Sequence, residues 1–450
     1  MEGIRKIDRT KDFILKLFDK NLFDSYFKND TSIYHKITTT YKNVNINIKH
    51  NTYNYEEFMN KILAINKIAN IVINIYIKIY NAGKIDPFKV RNENTKIIKK
   101  LQDNLPAYVN QKKMLNDTVA NDYFELWEIL NRTKLINTNK NTIEKYLSFH
   151  FAALPGNYII SLERYLNKFH KNEYKYIWRA NNLNPAVYDE LIYKYDNDRY
   201  NINFYDGLDL YKDNEDKFLW GKDNTGDIKN LENIKWFRQY IQQWKITQNN
   251  SKLNLITGAP EYKGEYADMQ KLDIAMMINV LASSDIGGDC IIKTFMPWYG
   301  KEPVSDYSFG YLINLIYTYS QYFEYIHLIR PSSIGYTNGQ FYIVGKNFKG
   351  IDDSKLEDFY LMYAIYKVNH CWYNEKDIDK DFKNKVFNFI NEYLNYMEIA
   401  SKIRIIMMYC SEDLTNDEKK YLECSKYDKK VMEENNNTLI KKWIKDNNFE

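Results

Sequence analysis

Apolar positions recur at helical spacing early in the chain. Phe58, Ile62, Ile65, Ala69 and Val72 keep one face apolar and predict a helix over 55–80. Phe124, Leu126, Trp127 and Leu130 do the same between Asn121 and Asn131, before a turn at Asn131-Arg132-Thr133. No strand alternation is evident up to about residue 140, so residues 1–140 are expected to form a mostly helical N-terminal region.

The texture then changes. Tyr146-Leu147-Ser148-Phe149-His150-Phe151 is a short apolar run that ends at Ala152-Ala153-Leu154-Pro155-Gly156-Asn157, and Tyr158 to Phe169 reads as a helix. Strand, Pro-Gly turn and helix make the opening unit of an open parallel sheet. The rhythm continues with strands at Tyr174 to Trp178, Leu253 to Ile256 and Cys290 to Phe295. Helices alternate with them at Ile234 to Trp244, Asp268 to Ser284 and Ser308 to Phe323, the second stopped by Gly287-Gly288. Tyr325 to Arg330 and Gln340 to Val344 are expected to pair as a hairpin at the sheet edge. Past Gly350 the pattern is helical again, over Leu361 to Tyr366, Phe382 to Met408 and Asp417 to Trp443. The expected fold is therefore α/β: a doubly wound core over 141–350, with helical regions over 1–140 and 351–450.

Composition narrows the class. The chain has 450 residues, enough for one large domain or two modest ones, and 44% hydrophobic against 27% charged residues excludes wholesale disorder. A net charge of +4 is too small to require nucleic acid but allows a local basic groove. Cys290, Cys371, Cys410 and Cys424 are scattered without a CxxC pair, which argues against a disulfide scaffold or a zinc ribbon and for a reducing compartment. No metal spacing is present among the histidines and cysteines. The opening MEGIRKIDRTKDF lacks an apolar core, and the stretch Ile62 to Tyr80 is broken by Asn66, Lys67, Asn70, Asn74 and Lys78. A cytoplasmic location without a membrane span is expected. The 41 tyrosines against 16 glycines fit AT-rich coding more simply than a base-stacking surface.

Four stretches carry a resemblance. FHFAALPGNYI (149–159), ITGAP (256–260), GGDCIIKTF (287–295) and RPSSIGYTNGQFYIVGKN (330–347) together resemble the FtsJ-like RNA 2′-O-methyltransferase family, most of all its large-DNA-virus branch. With the flanking helices, the similarity extends over residues ~110 to 450. It implies a Rossmann-like methyltransferase core. It also implies a Lys-Asp-Lys-Glu tetrad that takes the proton from a ribose hydroxyl as it attacks the methyl of S-adenosylmethionine. A lysine, with an ordinary pKa of about 10.4, needs burial or a second cation to act as a base near neutrality.

Carried onto this chain, the tetrad positions are Glu125, Thr257, Lys293 and Gln340, so one of the four family residues is retained. Glu125 reverses a charge, Thr257 cannot ionise to orient the base, and Gln340 keeps shape and hydrogen bonding without ionisation. Lys293 reads as a structural lysine paired with a carboxylate such as Glu125, or as a residual phosphate or RNA contact; nothing evident tunes it as a base. The cofactor loop resembles the family at Pro155 and Gly156, but its acidic position is Ala153 and the next glycine is Asn157. Thr225-Gly226-Asp227-Ile228 resembles the segment that contacts the adenine, so Gly226 and Asp227 join Pro155, Gly156 and Asn157 as the cofactor-binding positions. His150 reads as packing near a strand end. Arg330, followed by Ser332 and Ser333, opens the strand whose family counterpart lies near the RNA groove; Trp298 and Tyr299 read as a core-anchored loop or a base-stacking pair. Lys429-Lys430 and Lys441-Lys442 read as solvated helix faces.

The resemblance thus implies a methyltransferase-fold protein that has lost 2′-O-methyl transfer, needs no cofactor, and serves as a structural or regulatory subunit. Its partners would be RNA or a viral capping, transcription or polyadenylation protein, in the host cytoplasm or virion. Two rivals stay open. One is an active S-adenosylmethionine-dependent RNA 2′-O-methyltransferase with a variant site, its missing carboxylate supplied by Asp268 or Glu261 or by a shifted alignment at Thr257. The other is an RNA-binding module that uses Lys293 and Arg330.

Overall fold

In the computed structural model of the chain the described residues are 24, 26–27, 32–38, 60–61, 100–115, 119–136, 144–171, 173–184, 186–187, 209–260, 266–296, 306–335, 339–367, 370–410, 416–421 and 423–449. The helix expected over 55–80 lies almost wholly outside them, as do Trp298, Tyr299 and Glu261.

One eight-stranded sheet organises the molecule. Its strands are β1 (Ile33–Thr38), β2 (Glu144–Phe151), β3 (Tyr174–Asn181), β4 (Phe218–Leu219), β5 (Leu253–Gly258), β6 (Asp289–Phe295), β7 (Phe323–Arg330) and β8 (Gln340–Phe348). They lie in the order β1-β7-β8-β6-β5-β2-β3-β4. Strands β4-β3-β2-β5-β6 are parallel, whereas β8 runs antiparallel to both β6 and β7, and β1 antiparallel to β7. The central strands are buried on both faces, which is why β2, β5 and β6 read as near-continuous apolar runs rather than alternating ones.

Helices cover both faces. On one side α1 (Asn104–Gln111), α2 (Asn121–Thr133), α3 (Asn157–Phe169) and α9 (Lys429–Asp446) pack over Tyr146, Leu255, Ile291, Tyr342 and Val344. On the other, α4 (Leu231–Thr247), α5 (Tyr266–Ser283), α6 (Asp306–Tyr322), α7 (Asp353–Ile365) and α8 (Lys380–Cys410) pack over Phe149, Ile256, Ile292, Leu328 and Ile343. Strand order reverses at β2: β3 and β4 lie to one side, β5 and β6 to the other. The carboxyl ends of β2 and β5 therefore mark the switch point, where open α/β sheets place their ligand crevice.

This is the doubly wound α/β fold expected from the alternation, with three local differences. The β7–β8 hairpin forms, but away from the edge. Residues 340–345 are buried, with Phe341 and Ile343 in one core and Tyr342 and Val344 in the other, so β8 is inserted between β6 and β7. The outer edge of β7 is closed by β1, a strand within the stretch read as helical; Ile33 pairs with Arg330 and Thr38 with Tyr325. Third, the helix expected from Asp417 to Trp443 is broken, and Asp428 restarts it by accepting from the Lys430 amide at 2.9 Å. Cys410 and Cys424, read as unpaired, form a disulfide across that break, while Cys290 and Cys371 are free and buried. No helix among the described residues is long and apolar enough to cross a membrane, and no group of three metal-ligating side chains is found among them.

Candidate functional site

Strand alternation puts Thr257, Lys293 and Gln340 on the sheet face that α2 and α3 cover, and α2 delivers Glu125 to the same layer. Gln340 Nε2 donates to Glu125 Oε2 at 2.6 Å. The Tyr342 hydroxyl, two residues along β8, donates to the same oxygen and is itself bonded to the Tyr158 hydroxyl of α3. Lys293 pairs across the register with Tyr342, and its Nζ lies 3.5 Å from Asp122 Oδ1, one helical turn before Glu125. Three of the four expected positions thus meet at the sheet face. Asp122 pairs with Lys293, and the Lys293 charge also acts on Glu125; sequence reading missed Asp122, although its i, i−3 spacing from Glu125 on α2 was the available signal.

Burial governs the electrostatics. The Glu125 carboxyl is pushed up to about 7, first by loss of solvent and then by the Asp122 charge, against the opposing pull of Lys293 and the bonds from Tyr342 and Gln340. Only 3% of Lys293 is exposed. Its Nζ lies 3.5 Å from Asp122 Oδ1, and its charge acts on the Glu125 carboxyl.

Thr257, on the same face, is bonded to other groups. Its Oγ1 lies 2.7 Å from His150 Nδ1, and His150 Nε2 lies 2.7 Å from Ser148 Oγ and 2.9 Å from the Tyr176 hydroxyl. All of these hydrogen-bonded groups except Tyr176 belong to residues at most 1% exposed. Burial drives the imidazole down to about 3, so it is neutral. At the carboxyl ends of β2 and β5 the chain therefore holds a neutral, internally bonded network. His150 is a strand-end packing residue, as expected, and also the hub of that network.

The fold implies S-adenosylmethionine in this crevice, so the loop residues can be tested for fit. Gly156 adopts φ +108°, but a Cβ built there would meet Leu210 Cδ2 at 2.3 Å, so the chain's own side chain fills that space. Leu210 belongs to an apolar cluster with Ala153, Leu154, Trp178, Phe218 and Trp220. Asn157 is buried at the start of α3 and accepts from the Ala120 amide at 3.3 Å. At Gly226 (φ +73°) a Cβ would meet the Asn182 carbonyl oxygen at 1.8 Å, which leaves no room between the two loops there. Asp227 Oδ1 accepts from the Lys229 amide at 2.8 Å and shapes the turn before α4. Of the residues 152–157 and 225–228, Asp227 alone is charged. These residues do not fit the ammonium and carboxylate of the donor's methionine end.

Arg330 is also displaced from its expected role. The residue is fully buried, its guanidinium 5.1 Å from the Tyr393 ring centroid and 4.6 Å from that of Tyr396, and it donates to the Ile334 carbonyl at 2.7 Å. Two tyrosines of α8, some 60 residues downstream, remove it from any surface groove. Ser332 is likewise internal: its amide and hydroxyl donate to Glu128 of α2 at 3.0 and 2.7 Å, and Trp443 Nε1 of α9 donates to the same carboxylate at 2.8 Å. Asp268, offered as a replacement carboxylate, is exposed on α5.

Strand order, the switch-point crevice and the converged positions on β6 and β8 define a protein with a Rossmann-like methyltransferase fold. The comparisons with known proteins agree. The chain is 26% identical over 294 residues to the uncharacterized protein L511 of Acanthamoeba polyphaga mimivirus, which covers 64% of this chain and 34% of that one. It is 24% identical over 250 residues to the cap-specific mRNA (nucleoside-2′-O-)-methyltransferase 2 of Drosophila melanogaster, covering 52% and 31%. It is 22% identical over 284 residues to the probable methyltransferase EP424R of African swine fever virus, covering 59% of each. The chain is thus related, at low identity, to the FtsJ-like RNA 2′-O-methyltransferases and their viral relatives. It spans about a third of the first two proteins. No family model matches it.

Proposed function

We propose that the chain is a methyltransferase-fold protein that no longer methylates ribose and acts as a structural or regulatory subunit of a viral mRNA-capping or transcription and polyadenylation machinery, in the host cytoplasm or virion. The observation that carries this reading is the setting of Lys293. A lysine base must lose its proton, yet this ammonium lies beside Asp122 and Glu125, and the residue bonded to Glu125 is Gln340 where the family has a glutamate. Thr257, in the place of the orienting aspartate, is bonded to His150. Removing one positioned acid–base group commonly costs ~10²–10⁴ in rate, and three of four are changed. The packed Pro155-Gly156 loop supports the further point that no S-adenosylmethionine is required.

The test is methyl transfer from labelled S-adenosylmethionine to capped RNA. Wild-type protein should incorporate no more label than Lys293→Ala; robust ribose methylation that depends on Lys293 would defeat the reading. One observation favours the rival of an active enzyme with a variant site: the Glu125 carboxyl, near 7, could accept a proton close to neutrality. Calorimetry separates the two readings. Micromolar S-adenosylmethionine binding supports the active enzyme, and absence of heat supports the subunit.

A further inference from the structure

Helices α1 and α9 pack side by side and leave a cavity of about 260 Å³ between them. Tyr108 of α1 lines it, with Lys441, Ile444, Lys445 and Asn448 from α9 and the turn beyond. Ile444 is buried and Tyr108 half-buried, while Lys441, Lys445 and Asn448 are exposed. None of the lining residues is acidic. Some surface lysines elsewhere are paired, as Lys222 is with Glu232, Lys385 with Asp381, Lys402 with Glu398 and Lys426 with Glu423. Lys441 and Lys445 have no ion pair or hydrogen bond among the described residues. They stand four apart on one helix face, where like charges repel. The negative end of α9 accounts for a lysine in its last turn, such as Lys445, but not for Lys441 a turn earlier.

We propose that this hollow binds one nucleotide of a single-stranded RNA. The phosphate lies between the Lys441 and Lys445 ammoniums, the base stacks against the Tyr108 ring, and the Asn448 amide supplies a hydrogen-bonding group. A basic site with one aromatic ring is the minimal platform for a single strand. The volume lies below the ~300–1,000 Å³ of pockets for larger ligands, so it suits a single nucleotide. The phosphate chemistry stands on the hollow alone; the choice of RNA as its carrier rests on the functional reading above. The site is separate from the crevice at β2 and β5, and it lies on a surface that Lys293 and Arg330, both buried, do not reach.

The test is fluorescence anisotropy of the full chain with a labelled ten-nucleotide single-stranded RNA at several salt concentrations. Lys441→Ala/Lys445→Ala should weaken binding at least tenfold and lower the logarithmic salt slope by ~0.7 for each phosphate that is no longer neutralised. Tyr108→Leu should weaken it roughly fivefold or more with the slope unchanged, since a ring contributes stacking rather than charge. Lys429→Ala/Lys430→Ala, at the exposed start of the same helix, should change it less than twofold. AMP should displace the RNA at lower concentration than inorganic phosphate. No RNA binding by the wild type, a double variant within twofold of it, an equal loss in the Lys429/Lys430 control, or equal potency of AMP and phosphate would each overturn the assignment. The lysine variants alter exposed side chains, and unchanged thermal melting checks their folding. Methyl transfer by the wild type would defeat the functional reading while leaving these affinities as they are.

Discussion

Two polar clusters share one face of the sheet and bury their groups in opposite ways. At the ends of β2 and β5, His150 is surrounded by the hydroxyls of Ser148, Tyr176 and Thr257, and burial holds it neutral. Between β6 and α2, Lys293, Glu125 and Asp122 keep ionisable groups under cover, with a carboxyl brought close to neutrality. A buried neutral network is satisfied by hydrogen bonds alone, whereas a buried ionic one needs compensating charge. The first cluster therefore behaves as core and the second as a titrating site.

The largest expected effect lies in the neutral cluster. His150→Leu strips the partner from Thr257 Oγ1 and breaks the bridge to Ser148 and Tyr176, which remain bonded to each other at 3.0 Å. Leaving such buried groups unmet costs ~1–3 kcal/mol each, so a loss of about 3 kcal/mol is expected in urea unfolding at pH 7. The sign of the pH dependence follows. Native His150 binds its proton only near 3, the unfolded chain near 6.5, so wild-type stability falls as pH drops through that interval. The variant should lack this component. A loss below about 1 kcal/mol, with the acid dependence intact, would erase the contrast between the clusters.

The ionisable cluster should respond to pH in the opposite direction. Native Glu125 keeps its proton up to about 7, whereas the unfolded carboxyl releases it near its ordinary value of 4.5. Stability contributed by the protonated form is therefore lost as pH rises through that window. Glu125→Gln keeps the shape and removes the titration. The fall in unfolding free energy between pH 5 and 7 should be smaller in the variant by about 2 kcal/mol, because each tenfold change in proton affinity is worth about 1.36 kcal/mol. Asp273, bonded to Thr294 and Tyr311 and also raised to about 7, titrates in the same direction in both proteins and cancels in the difference.

Much of this was legible in the sequence because it depends on local pattern. The apolar runs of β2, β5 and β6, and the Gly287-Gly288 stop before β6, are short-range signals. Lys293 and Gln340 came instead from the family resemblance, since they lie on separate strands. What stayed hidden depends on distant partners. Ile33, His35 and Ile37 alternate with Tyr34, Lys36 and Thr38, but six residues with a polar outer face become a strand only because β7, nearly 300 positions later, offers its edge. Cys410 and Cys424 carry no motif at their spacing of 14. Arg330 looks like a groove residue until Tyr393 and Tyr396 cover it. At Gly156 the glycine is readable, but the Leu210 side chain that fills its space is not.

The smallest expected effect sharpens the comparison further. Asp122 is 26% exposed on its side chain and lies 3.5 Å from Lys293. Partly solvated pairs contribute ~0–1 kcal/mol, so Asp122→Asn taken alone should cost under about 1 kcal/mol at pH 7. A second consequence limits the loss. The Asp122 charge is one of the causes that raise Glu125, so without it Glu125 ionises at lower pH and takes over as the partner of the buried ammonium. The pH at which the fall in stability levels off, near 7 in the wild type, should therefore move downward in Asp122→Asn, with total stability nearly kept. A loss above about 2 kcal/mol with no movement of that pH would mean that Lys293 depends on Asp122 alone. The cluster would then be a fixed ion pair, no more a titrating site than the His150 network beside it.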